Sequence, residues 1–194
     1  MTKIIGLTGG IGSGKTTLAN YIKSLGIPVY IADDEAKKLF LNPIVLQKIK
    51  TAFGETIFEN NLLSKDRLAK IVFNDTKKLK ELNDIIHPAV KAHFENWLKQ
   101  FSDKPFVVKE AAILFESGSY KDCDVIITVI APLKTRIERV IQRDQISEDA
   151  VLSRINNQWS DEMRIAKSDY IIENNDLSIA KRQLDKILKK MMIH

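Results

Sequence analysis

Gly9, four intervening residues, then Gly14, Lys15 and Thr16 put a glycine-rich turn, a lysine and a hydroxyl into one short segment. Each part has a task in holding a polyphosphate. Along Gly10, Ile11, Gly12, Ser13 and Gly14 the glycines allow a tight turn, so successive N–H groups can meet phosphate oxygens with no Cβ in the way. A helix opening at Thr16 and Thr17 aims its positive end at the same anion. Lys15 supplies a mobile charge to the β- and γ-phosphates, and the Thr16 hydroxyl ligates Mg²⁺. At ordinary residue frequencies the bare pattern arises in about one chain per hundred of this length. An apolar run before it (Ile4, Ile5, Leu7) and a helix-compatible segment after it make the context specific. The segment binds a nucleoside triphosphate.

Phosphoryl transfer also needs a second acidic group for the metal shell, a group to orient the nucleophile, and cations for the transferring charge. Glu110 follows the apolar Phe106, Val107 and Val108, and is either that acid or an exposed strand-end carboxylate. Asp33 stands at the carboxyl end of a second short strand, the edge where open α/β sheets bind ligands. It either takes or orients the proton of an attacking hydroxyl or caps the next helix. Arg136, Arg139 and Arg143 are three and four residues apart, so they share one helix face. With Arg154 and Arg164 downstream, that face is a phosphate-clamping lid or a solvated basic surface. Cys123 reads as a small apolar filler, and His93 and His194 as structural or terminal residues. No Cys/His spacing supports a zinc site. The Asn-Lys-X-Asp and Asp-X-X-Gly signatures of a guanine switch protein do not occur.

These groups need a scaffold. The order of elements is mostly strand, helix, strand, helix, which predicts a parallel sheet covered on both faces. Strands are expected at Ile4, Ile5 and Leu7, at 29–31, at 106–108, at 125–130 and at 170–172. Helices are expected at 16–25, with Gly26 as the stop, and from Asp33-Asp34, where one should begin, on through Glu35 to Leu41. Between 43 and 101 the pattern turns helical and loses its strands. There Val45, Leu46 and Ile49 mark one helix, and Leu68, Ile71 and Val72 another, capped by Ser64 or Asp66. Leu79, Leu82, Ile86, Val90, Phe94, Trp97, Leu98 and Phe101 form a helix-spaced stripe. His87-Pro88 interrupts it, so the spacing predicts two helices with a bend, Pro88 opening the second. Pro132 opens the arginine helix, Ser147 the next, and 177–191 is amphipathic.

The fold class is therefore α/β: a P-loop three-layer fold with a central parallel sheet, an inserted helical acceptor-binding subdomain and a helical lid. The core is expected at 1–42, 104–135 and 168–194, the insert at 43–103 and the lid at 136–167. With 194 residues the chain can bury one sizeable core. A formal charge of +5 suits an anionic substrate, and the basic residues are scattered rather than blocked, so nucleic acid is not the expected partner. One cysteine, no signal peptide and no apolar run of 18 residues make the cytoplasm the expected location, with no membrane partner. A nucleoside or small-metabolite kinase and, on charge alone, a nucleic-acid-dependent ATPase remain the competing readings.

The chain closely resembles one family, dephospho-coenzyme A kinase, over nearly its whole length. The resemblance rests on GLTGGIGSGKTT, Ala32-Asp33, His87-Pro88, Ile113-Leu114-Phe115-Glu116 and Gln142-Arg143-Asp144. Arg154-Ile155 with Gln158 and Ile172-Glu173-Asn174-Asn175 complete it. The family implies a five-stranded parallel core and transfer of the γ-phosphate of ATP to the ribose 3′-hydroxyl of dephospho-coenzyme A, with Mg²⁺. Carried onto this sequence, Asp33 matches the proposed general base, Lys15 the phosphate lysine, Thr16 the magnesium hydroxyl, and Arg139 and Arg143 the lid arginines. His87 and Glu116 fall to the acceptor, and Asn174 lies near the adenine. ATP and dephospho-coenzyme A are the implied small-molecule partners of a monomer or weak homo-oligomer. The chain departs from the family at Ile31, where an aspartate is usual, and at Glu110-Ala111-Ala112, where the usual proline is missing.

Overall fold

In the computed structural model, residues 2–60, 62–73 and 75–193 are described. In chain order the elements run β1 (Lys3–Thr8), α1 (Lys15–Ser24), β2 (Val29–Ile31), α2 (Ala32–Leu39) and α3 (Pro43–Phe53). There follow the two-residue strands β3 (Phe58–Glu59) and β4 (Leu62–Leu63), then α4 (Lys65–Phe73) and α5 (Thr76–Leu98). The remainder is β5 (Phe106–Glu110), β6 (Val125–Ile130), α6 (Leu133–Asp144), α7 (Glu148–Asn156), α8 (Asp161–Ile165), β7 (Tyr170–Glu173) and α9 (Leu177–Ile193). The chain divides into one compact unit of residues 1–31 and 101–194 and another of Ala32–Gln100. Among the described residues no helix is long and apolar enough to cross a membrane.

In the first unit a five-stranded sheet has the order β2-β5-β1-β6-β7, every neighbouring pair parallel. Crossover helices bury both faces of such a sheet, which is why β1, β5 and β6 read as nearly continuous apolar runs. One face carries the main core: Ile5, Leu7, Phe106, Val108, Ile127, Val129 and Ile172 pack against Leu18, Ala19 and Ile22 of α1 and Ala180, Leu184 and Leu188 of α9. On the other face the Thr8 hydroxyl donates to the carbonyl of Ala111 (2.8 Å), and Thr128 and Ser168 share a 2.7 Å hydroxyl–hydroxyl bond. Chain order reverses on either side of β1, whose neighbours are β5 and β6. Ligands of open α/β sheets bind at such a switch point, beyond the carboxyl ends of the strands. The glycine-rich turn leaves β1 at that end.

The second unit packs Val45, Ile49, Ile57, Leu68, Leu82 and Ile86 into a core of its own. The expected insert at 43–103 and this unit share α3 to α5. The unit also takes in α2, because Ala36 and Phe40 pack against the same cluster. Two expectations are corrected here. The stretch has strands after all: β3 and β4 pair antiparallel, Phe58 opposite Leu63, with Asn60 in the left-handed region (φ 49°) at the turn. Adjacent asparagines at 60 and 61 were the sequence signal for it. And α5 is one helix with Pro88 inside it, not two. Pro88 removes only the bond its missing N–H would have made to Asp84. Packing covers both sides of that gap, with Ile85 and Ile86 before it and Ala89 and Val90 after it in the same cluster. The start of α4 follows expectation, the Arg67 N–H donating to the Ser64 hydroxyl (3.5 Å). His194 lies outside the described residues.

Candidate active site

Helices usually satisfy their first N–H groups with a side chain, as α3 does with Asn42, α5 with Asp75 and α7 with Ser147. At α1 the cap is Gly14, no side chain accepts from the first turn, and that turn holds no acidic residue. The positive end of α1 is left for an anion. Gly14 takes φ 92° and Gly12 φ 79°, a region closed to most side chains. Space adds a second constraint. A Cβ on Gly14 would strike the Asn174 amide, and one on Gly12 the backbone of Arg136. These glycines therefore admit the protein's own groups as well as a ligand.

Lys15 opens α1 and is buried, its Nζ 3.9 Å from Oε1 of Glu110. The exposed Thr16 donates its hydroxyl to the same Oε1 at 3.1 Å. Glu110 ends β5 between the partner strands β1 and β2, opposite Leu7 and Ile31, and is 1% exposed. Of the two readings open for Glu110, the exposed strand-end carboxylate is ruled out. A buried carboxylate stands beside the lysine and hydroxyl of the phosphate loop.

Not every loop N–H is free for phosphate. The Ile11 N–H donates to Oε1 of Gln158 (2.9 Å), and the Ser13 N–H to the carbonyl of Gly10 (3.1 Å). Two N–H groups of the loop are thus held by the protein itself. Asn174 is buried; its side-chain Nδ2 donates to the carbonyl of Ser13 (2.7 Å), and its backbone carbonyl accepts from Arg139 (3.1 Å). Arg139 also reaches the carbonyl of Gly12 (3.4 Å).

The three arginines of α6 do not behave as one face. Arg136 is buried, with Nε donating to the carbonyl of Ile11 (2.9 Å) and Nη1 to Asp161 (3.0 Å). Arg139 is half-buried against the loop. Arg143 is exposed and donates to both oxygens of Asp144 (2.7 and 3.0 Å), which Arg154 also contacts (2.8 Å). The Arg143 hydrogen bond, with Arg154 adding charge, holds the Asp144 carboxyl below its usual range.

Arg164 is fully buried, with Nη1 on Asp161 (3.2 Å) and Nη2 on Glu116 (3.4 Å). Burial lowers its affinity for the proton, and Glu116 and Asp161 oppose that. Oε1 of Glu116 also accepts the Trp159 N–H (2.8 Å), while the Trp159 ring stacks on Phe115 (5.3 Å, 4°). This chain through Asp161, Arg164 and Trp159 was not foreseen. Its one local signal was the Asp161/Arg164 spacing of three on a short helix. Cys123 fits the filler reading: burial pushes its thiol up to about 11.

Asp33 and His87 belong to the second unit. Asp33 lies in the first turn of α2 with Asp34 and Glu35, one residue inside the helix rather than at its cap, and is exposed. His87 is half-buried in α5; burial holds its imidazole below the usual range, against the opposing charge of Asp84.

A family model described as CoaE, dephospho-CoA kinase, matches residues 3–180. A dephospho-CoA kinase of Fusobacterium nucleatum is 40% identical over 173 residues, 89% of this chain and 89% of that one. A crystal structure from Thermus thermophilus superposes with a TM-score of 0.89 at 32% identity, covering 97% of each chain. The dephospho-CoA kinase of Campylobacter jejuni does so at 0.72 and 27% identity, covering 98% of each.

Proposed function

The chain belongs to the dephospho-CoA kinase family, and from that premise we propose how its residues divide the work of the reaction. It catalyses ATP-dependent phosphorylation of dephospho-CoA, the last step of coenzyme A biosynthesis. The observation that carries the division is the Lys15–Glu110–Thr16 cluster beneath an uncapped helix end.

In this reading the N–H groups of Gly12 and of Gly14 through Thr17 hold the β- and γ-phosphates, and Lys15 follows the charge onto the transferring group. The ribose 3′-hydroxyl attacks the γ-phosphorus in line. Its oxygen–phosphorus bond forms as the bond to the β,γ-bridging oxygen breaks, and its proton passes to the carboxylate of Asp33. ADP leaves with the bridging oxygen. Arg139 and Arg143 neutralise charge on the phosphates, His87 and Glu116 serve the acceptor, and Asn174 serves the adenine side. The helical unit is the acceptor-binding subdomain, and 136–167 is the lid.

The site fits Mg²⁺. The Thr16 hydroxyl donates its proton to Glu110, so its oxygen lone pairs stay open to a cation. Among the described residues no group of three or more His, Cys, Asp or Glu could hold a metal. That suits an ion bound through one hydroxyl, phosphate oxygens and water. Mg²⁺ bound there would neutralise phosphate charge, with Thr16 as ligand and Glu110 holding the ligand's proton. A cytoplasmic location and a monomer or weak homo-oligomer, without nucleic-acid or membrane partners, complete the proposal.

The test is ADP production by purified protein. ADP should form only when ATP, Mg²⁺ and dephospho-CoA are all present. Absence of acceptor-dependent ADP at any workable concentration overturns the reading.

A further inference from the structure

Ile11 is held at three points, and all three lead to the same distant stretch of chain. Its N–H donates to Gln158, which follows α7, and its carbonyl accepts from Arg136 on α6, each at 2.9 Å. Its side chain packs against Ile137, Val140 and Val151, the small core between α6 and α7. Arg136 is itself held on its far side, because Nη1 donates to Asp161, whose other oxygen accepts from Arg164. A Cβ on Gly10 would collide with the Arg136 guanidinium, so the loop is moulded around this arginine.

We infer that Gln158 and Arg136 are positioning residues for the nucleotide: by holding both polar groups of the Ile11 peptide they set the curvature of the phosphate loop. Neither touches phosphate in this role. With the Ile11 N–H turned to Gln158 and its carbonyl to Arg136, the loop cannot offer either group to the ligand. What the Ile11 peptide is denied, the curvature of the loop directs to the glycine-rich turn that follows it. Freed from Gln158, the loop has to be ordered at the moment of binding, and that cost appears in nucleotide affinity. The inference rests on the loop's reading as a triphosphate site, not on which acceptor takes the phosphate.

The experiment is the dissociation constant for ATP with Mg²⁺, measured by calorimetry without acceptor, beside the thermal midpoint of each protein. Gln158→Met keeps length and removes the acceptor oxygen; it should weaken ATP binding about tenfold while the midpoint stays within about 2 °C of the parent. Gln158→Glu restores an oxygen that accepts the N–H and should recover most of the affinity. Arg136→Lys keeps a charge for Asp161 but loses the planar fork that also reaches Ile11, and should weaken ATP binding in the same direction. Unchanged ATP affinity in Gln158→Met overturns the inference. So does a fall in midpoint with affinity intact, which is what a merely structural glutamine would give. Because no acceptor is present, a wrong acceptor shows in the ADP assay and leaves this measurement standing.

Discussion

Two clusters of buried charge lie in the α/β unit and are built from the same residue classes to opposite ends. Lys15 and Glu110 meet at 3.9 Å, with the exposed Thr16 hydroxyl on the same carboxylate. Arg136, Asp161, Arg164 and Glu116 form a continuous chain at 3.0, 3.2 and 3.4 Å. In the first, a buried lysine stands beside a helix end that no side chain caps. In the second, planar guanidinium groups are held by protein oxygens on both sides, although the Arg164 Nε finds none. Sign and burial alone do not tell the two apart. What separates them is setting: the first stands beside a helix end that no side chain caps, whereas the second runs from ion pair to ion pair.

That difference can be broken from either side. The largest effect belongs to Lys15→Met, for which turnover falls about 10³-fold, since a charge acting on the transferring group is lost. A loss below tenfold in steady-state assays would reduce Lys15 to the counter-charge of Glu110. Asp33→Asn comes next, lowering turnover about 10²-fold while ATP affinity by calorimetry is unchanged. Unaltered turnover would leave Asp33 as a helix-start carboxylate.

In the second cluster, Arg164→Met takes one of two partners from each of Asp161 and Glu116 and should cost about 3 kcal/mol in urea unfolding. The protein that remains folded should keep kcat within about threefold of the parent, any change falling on KM for the acceptor through Glu116 and for ATP through Arg136. A selective loss of turnover at full stability would move Arg164 into the reaction. The smallest effect is at the surface pair. A double-mutant cycle of Arg143 and Asp144 should give a coupling below about 1 kcal/mol at pH 7. The folded Asp144 carboxyl titrates below its unfolded value of about 3.9, so its contribution is present above that pH. It is lost as pH falls through the lower, folded value. Unfolding curves between pH 5 and pH 2 on Asp144→Asn and its parent should converge at the acid end.

Much of this was legible from residues alone. The five sheet strands, the opening of α1, the start of α6 beyond Pro132 and the Ser147 cap all follow local rules of apolar period, glycine and capping. Pro88 misled because a proline's effect depends on whether neighbouring packing covers the gap in the ladder. The β3–β4 hairpin was missed because two-residue strands carry too few positions to show a period of two. Its asparagine turn was the stronger signal.

The arginines mark the boundary most clearly. Spacing put Arg136, Arg139 and Arg143 on one face of α6, but spacing has no knowledge of what covers that face. The partners of Arg136 and Gln158 on Ile11 lie 125 and 147 residues away in the chain. The sequence by itself determined the phosphate loop, the parallel α/β order and the family, because each is written in short-range spacing. Only the tertiary structure decided that Arg136 is held inside the protein, that the Ile11 N–H donates to Gln158, and that Glu110 is buried beside Lys15. Those outcomes depend on which distant segments meet, and burial sets the cost of leaving any polar group there unpaired.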